Sequence, residues 1–139
     1  MNREKLDEAM ALSEKLGHVF LATADEDGVP HIAAAGRLSG ASGDRVVLEE
    51  WFCPGTMENL EETRDIALAV WSAEEDQGYQ LIGRVEQIIE MNVLDGYAPG
   101  QEERMPVAQI ERRLLIQVEQ VLDFSQAPHC DVPDVTAPQ

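Results

Sequence analysis

Basic side chains are scarce in this 139-residue chain. Ten Lys and Arg stand against 27 Asp and Glu, which gives a formal net charge of −17. Nucleic-acid interfaces and docking on anionic lipid both need clustered Lys and Arg, so the composition argues against both kinds of partner. An anionic small molecule can bind only where a local group of hydrogen-bond donors outweighs the overall negative field.

Long apolar runs and paired cysteines are missing as well. No run approaches the ~18 apolar residues that cross a membrane, and the N-terminus, MNREKLDEAM, is too charged for a signal peptide. We therefore expect a cytoplasmic protein whose two cysteines remain free thiols. Cys53 stands alone and His129 adjoins Cys130, which is not the spacing of a structural zinc site, so we predict no metal.

The remaining composition is that of one folded domain. A hydrophobic content of 44% excludes a mainly disordered chain, and 139 residues suffice for a modest core. Apolar alternation predicts six strands, which fit a closed or split barrel; the alternative is an α+β sheet packed on helices. We expect the domain to span residues 1–125, with an extended or frayed Pro-rich tail over 126–139 and a flap-like loop over 91–108. The predicted strands are 18–24, 31–38, 45–51, 66–72, 79–90 and 112–124, and the predicted helices are 2–16 and 56–64.

The stretch 17–60 holds the features that suggest a ligand. Asp25–Gly28 predicts a hairpin turn, and the strand after it is built of small residues that let a flat ligand approach the backbone. The helix predicted to begin at Thr56 offers free N–H groups and the positive end of its dipole to an anion. Together these features suggest a nucleotide-like cofactor. On these features alone an ordinary meander with a capped helix is favoured, because capped helices and Ala-rich strands are common.

Two segments, ATADEDGVPHIAAAG and GTMENL, resemble the flavin-binding split-barrel family related to pyridoxamine 5′-phosphate oxidase. That family reads A-T-x-acidic-x-D-G-x-P-H and then T-x-x-N-L, and the resemblance covers roughly residues 17–90. It implies a small antiparallel barrel, paired into a homodimer with FMN in grooves at the interface. The combined prediction is a mainly β fold: a six-stranded antiparallel split β-barrel with an N-terminal helix and a short crossover helix.

The resemblance also implies a set of cofactor-binding residues. The FMN phosphate is expected at Thr56, with Arg37 as the best basic partner; the alternatives are a purely capping Thr and a solvated Arg. Many relatives have Lys or Arg directly before this Thr, where this chain has Gly55, and that change removes a charged phosphate contact. The isoalloxazine ring is expected along the small-residue strand. The full expected set is Ala34, Ala35, Gly36, Arg37, Glu50, Trp51, Thr56, Asn59 and Gln80.

Two functions fit these expectations. The first is an FMN-dependent oxidoreductase or electron-transfer protein that acts on a small-molecule substrate. The second is a non-catalytic split barrel that has lost its flavin and binds another small molecule or only itself. No catalytic acid or base can be named in either case. A homodimer is expected because strands 66–72 and 79–90 present more apolar surface than one barrel hides.

Overall fold

The described part of the chain folds into two helices and seven strands. The computed structural model describes residues 1–51, 54–94 and 109–132, with the backbone alone at 50, 51, 91–94 and 109–111. None of the helices within these ranges is long and apolar enough to span a membrane. The elements are α1 (Arg3–Leu16), β1 (Val19–Ala24), β2 (Pro30–Ala35), β3 (Arg37–Gly40), β4 (Arg45–Trp51), α2 (Pro54–Glu62), β5 (Asp65–Ser72), β6 (Gln77–Leu94) and β7 (Gln109–Asp123).

The strands form one antiparallel sheet in the order β2-β1-β5-β6-β7-β4-β3. Its two outermost strands, β2 and β3, are consecutive in the chain and are separated only by Gly36. Because neighbouring Cα atoms are only about 3.8 Å apart, the sheet has to curl until its two edges meet at this residue. The mainly β, split-barrel prediction is thereby confirmed.

The number of strands differs from the prediction, since seven are present instead of six. The strand expected over 31–38 divides at Gly36, because its first part pairs with β1 and its second part pairs with β4. Sequence alternation runs through the break and cannot reveal a change of partner.

Local signals set several element boundaries as expected. The side chain of Asn2 accepts the N–H of Lys5 at 3.0 Å, and Gly17 closes α1 in the left-handed conformation with φ 77°. Gly28, at φ 83°, completes the β1–β2 turn by donating to the carbonyl of Asp25. Gly83 stands at a register shift between β6 and β7, as a glycine within a strand pattern predicts.

The core lies inside the curled sheet and beneath both helices. The almost wholly apolar β5 is buried on one face, where Ile66, Leu68, Val70 and Ser72 lie, while Ala67 and Ala69 are half-buried on the other face. The half-buried face of β5 belongs to the outside of the curled sheet. The largest fully buried side chains are Leu6, Leu21, Leu48, Leu60, Leu68, Leu81, Leu114, Ile116, Val19, Val46, Val70 and Val118.

Other boundaries differ from the expected ones. The helix α2 begins at Pro54 and not at Thr56, which places Thr56 inside the first turn. β6 continues to Leu94, so the expected loop begins later, and its residues 95–108 lie outside the described ranges. The beginning of the tail is not frayed, because the amides of Gln126 and Ala127 donate to Asp76. Cys53 and residues 133–139 also lie outside the described ranges.

Candidate functional site

The small-residue junction of β2 and β3 at Gly36 exposes backbone and one basic side chain, that of Arg37. Along β2, Ala34 is exposed and Ala35 is buried, while Gly36 and Arg37 are exposed beyond it. Gly36 and Arg37 line a cleft of about 620 Å³ between the C-terminal half of α1 and β3. Arg37 forms no ion pair within the described ranges, and Glu49, its backbone partner on β4, is paired with Arg113 at 3.3 Å.

The first turn of α2 contains a buried hydroxyl without a partner. Thr56 is fully buried, and its Oγ1 has no hydrogen-bond partner among the described residues. Asn59, one turn later, donates from Nδ2 to Oγ1 of Thr23 at 2.9 Å and so fixes the helix to β1. An unsatisfied buried polar group costs on the order of 1–3 kcal/mol, which makes the Thr56 hydroxyl a candidate for an external partner.

His31 lies against this same turn, a position that the sequence did not reveal. A Cβ added to Gly55 would be 2.9 Å from Nε2 of His31, with two further ring atoms within 3.4 Å. The packing of α2 against β2 explains the contact, because it brings Gly55 alongside His31. Since 24 residues of sequence separate the two, only tertiary structure brings them together.

Arg37 and Thr56 are expected at one phosphate. In the structure Arg37 follows the C-terminal end of β2, and the turn that holds Thr56 adjoins His31 near the N-terminal end of β2. His31, near Thr56, and Ala35, near Arg37, are separated by roughly 13 Å of extended strand. The cleft beside Arg37 is also lined by Glu14 and by Gly17 at the C-terminal end of α1. A carboxylate and the negative end of a helix dipole disfavour a phosphate there and favour a cation.

The other expected residues are distributed around these two positions. Glu50 and Trp51 end β4, and extending the β3–β4 register places Trp51 level with Ala35; their side chains are not described. Gln80 shares one cross-strand row with Ala34 on the outer face of the sheet. Two strands lie between them, so Gln80 and Ala34 are roughly 14 Å apart.

An apolar groove occupies the outer face between Ala34 and Gln80. It has a volume of about 250 Å³ and is lined by Phe20, Ile32, Gln80 and Phe124 together with small residues of β1 and β5. Within the described ranges no cluster of His, Cys, Asp or Glu is suited to hold a metal ion, and Cys130 is an exposed free thiol. The chemistry available is thus anion binding at α2 and flat apolar contact along β2.

Comparison with known proteins identifies the family. No curated protein matches the sequence significantly. Solved structures with the same fold include an FMN-binding protein from Syntrophomonas wolfei subsp. wolfei (19% identity, TM-score 0.68, covering 92% of this chain and 91% of that one). They also include HupZ of Group A Streptococcus (20% identity, TM-score 0.65, 89% and 97%) and HutZ, a heme storage protein of Vibrio cholerae (15% identity, TM-score 0.53, 86% and 92%). The family model described as pyridoxamine 5′-phosphate oxidase matches residues 6–123, and the chain therefore belongs to the pyridoxamine 5′-phosphate oxidase family.

Proposed function

We propose that this protein binds FMN and acts as an oxidoreductase or electron-transfer protein. The phosphate of FMN lies at the start of α2, and the isoalloxazine ring extends along β2 toward Gly36. The observation that supports this most directly is the buried Thr56 hydroxyl, which has no partner among the described residues. Family membership and an FMN-binding protein of the same fold agree with the proposal.

The start of α2 suits a phosphate monoester. The first N–H groups of a helix have no intrahelical acceptor, and they point along the positive end of its dipole. Gly55 adds an N–H with no side chain in the way, because His31 already occupies the space that a Cβ would need. Asn59 holds the helix in place through its hydrogen bond to Thr23.

β2 suits the rest of the cofactor. Its exposed Ala34 and the adjoining Gly36 let a planar ring lie on the backbone, close to the end of β4. FMN supplies the electron-transfer chemistry, and the described residues hold its phosphate, orient its ring and shape the space for a substrate. Arg37, at the far end of β2, lies near the ring and away from the phosphate.

We propose further that two copies associate through the outer face around the apolar groove. Phe20, Val29, Ile32 and Phe124 are large apolar side chains exposed on or next to this face. Gln80 is too far from Ala34 for both to contact one end of a ring within the same chain. In a dimer, a second copy can present its Gln80 to the ring held by the first.

Titration of FMN and riboflavin into wild type, Thr56→Val and Arg37→Ala tests the cofactor proposal. Thr56→Val removes the hydroxyl but keeps the side-chain shape. We expect it to weaken FMN by about 1 kcal/mol while riboflavin, which lacks the phosphate, is unaffected. Because the unpaired hydroxyl is costly, the same change should leave the apoprotein equally stable or more stable. Arg37→Ala is the control at the opposite end of β2 and should change the FMN-to-riboflavin affinity ratio less than twofold.

Each outcome has a defined meaning. Failure of FMN to bind wild type at tens of micromolar rejects the cofactor and favours the non-catalytic module. If Arg37→Ala loses FMN binding selectively and Thr56→Val does not, the phosphate binds beside Gly36 and Arg37. FMN then lies in the opposite orientation along β2. Heme is titrated in parallel, because HutZ, which has the same fold, is a heme storage protein.

A further inference from the structure

We infer that the imidazole of His31, when protonated, is the cation that pairs with a phosphate at the start of α2. This inference rests on the proposed function, because it names the charged partner within that same site. It makes phosphate recognition depend on pH, through a residue on β2 and not through one on the helix.

The geometry at Gly55 supports this assignment. Three ring atoms of His31 lie within 3.4 Å of the point where a side chain at position 55 would begin, and Nε2 is the nearest of them. The imidazole therefore fills the space that a side chain at position 55 would occupy. A basic residue at position 55 and His31 in its present position exclude one another. The positive charge that Gly55 lacks can therefore come from His31 on β2.

His31 is free to serve a ligand. It is exposed, and its imidazole has neither an ion pair nor a hydrogen bond with any residue in 1–51, 54–94 or 109–132. The adjacent residue of the helix, Thr56, contributes the buried hydroxyl that has no partner. The imidazole, the unsatisfied hydroxyl and the first N–H groups of the helix all belong to the start of α2, and together they suit a phosphate.

The surrounding charges show why a cation is needed there. The charged residues of the β1–β2 turn and of α2 are all acidic: Asp25, Glu26, Asp27, Glu58, Glu61 and Glu62. Glu49 and Glu50 lie near the end of β4, which leads into α2. A phosphate that enters this field meets repulsion that the helix N–H groups alone must offset. An imidazole beside the helix supplies attraction to a phosphate when it is protonated.

The test compares FMN and riboflavin affinities at pH 5.5 and pH 8 in wild type, His31→Gln and His129→Gln. The phosphate itself ionises near pH 6, so His31→Gln reports that effect alone. In wild type we expect the FMN-to-riboflavin affinity ratio to be about tenfold higher at pH 5.5 than at pH 8. His31→Gln should keep only the pH dependence that the ionisation of the phosphate causes, and its ratio should be about tenfold less sensitive to pH than that of wild type. His129→Gln, which changes an exposed histidine of the tail, should behave like wild type.

A rescue variant separates charge from shape. In His31→Ala/Gly55→Lys the space is cleared and a cation is placed on the helix, so FMN should bind at pH 8 about tenfold more tightly than in His31→Gln. The inference is overturned if wild type and His31→Gln show the same pH dependence, or if the lysine rescues nothing. Absence of FMN binding in wild type at both pH values instead rejects the cofactor proposal on which this inference depends.

Discussion

At the residue scale, Asp76 fastens the C-terminal segment to the β5–β6 turn. Its Oδ1 accepts the Trp71 indole N–H at 3.0 Å and the Gln126 amide at 2.7 Å, and its Oδ2 accepts the Ala127 amide at 2.9 Å. The Gln126 amide, followed by the Trp71 indole and the Ala127 amide, holds the pKa of this carboxyl below its ordinary value. The ionised form is therefore the one that the folded state stabilises.

Asp76→Asn should accordingly lower the melting temperature at pH 7, because an amide offers one acceptor oxygen in place of two. A folded-state pKa below the unfolded value near 3.9 means that the stabilisation is complete above that value and is lost as pH falls through the folded pKa. The difference between wild type and Asp76→Asn should thus shrink below about pH 4. Thermal unfolding followed by circular dichroism measures this difference in melting temperature, with Glu74→Gln, a change at an exposed residue, as the control. A difference that grows as the pH falls below about 4 would contradict the expected role of the ionised Asp76.

At the element scale, the ladder between β6 and β7 depends on Gly83. A Cβ at this position would lie 2.1 Å from the carbonyl oxygen of Gln117, which is rigid backbone of the neighbouring strand. We expect Gly83→Ala to destabilise the protein by about 1–3 kcal/mol or more, because the strands must separate to admit the methyl group. Gly40→Ala, on β3, is the matched control: nothing lies within 4 Å of its Cβ. Urea unfolding that gave both variants equal stability would show that the close approach is unimportant.

The same scale shows what sequence could and could not predict. The caps at Asn2 and Gly17, the turn at Gly28 and the bulge at Gly83 were predictable, because each depends on local backbone requirements. The break at Gly36 and the beginning of α2 at Pro54 depend on which strand or helix lies alongside, and alternation is blind to that. The contact between His31 and Gly55, and the separation of Arg37 from Thr56, arise only when the sheet closes.

At the scale of the whole molecule, the outer face around the groove remains apolar. Ile32 is 70% exposed and Phe20 is 42% exposed on a chain whose net charge is −17. Exposed apolar surface of this kind marks an interface. Light scattering should therefore give the mass of two 15.4-kDa chains at micromolar concentration.

Ile32→Glu should shift that mass toward a single chain, because a dimer would bury an unpaired carboxylate in its interface. Val132→Glu makes the same change in charge at an exposed apolar residue of the tail and should leave the dimer intact. A wild-type mass of one chain, or equal behaviour of the two variants, would exclude this face as the interface.

The junction at Gly36 also bears on polymerisation. The outermost strands of an open sheet offer unpaired N–H and C=O groups on which another chain can build, a common beginning of fibril growth. Here the two outermost strands meet at one residue, and β3 is only four residues long. Another chain would have to separate β2 from β3 at Gly36 before it could pair with either strand. The closure that brings β2 alongside α2 therefore also protects the protein against edge-to-edge aggregation.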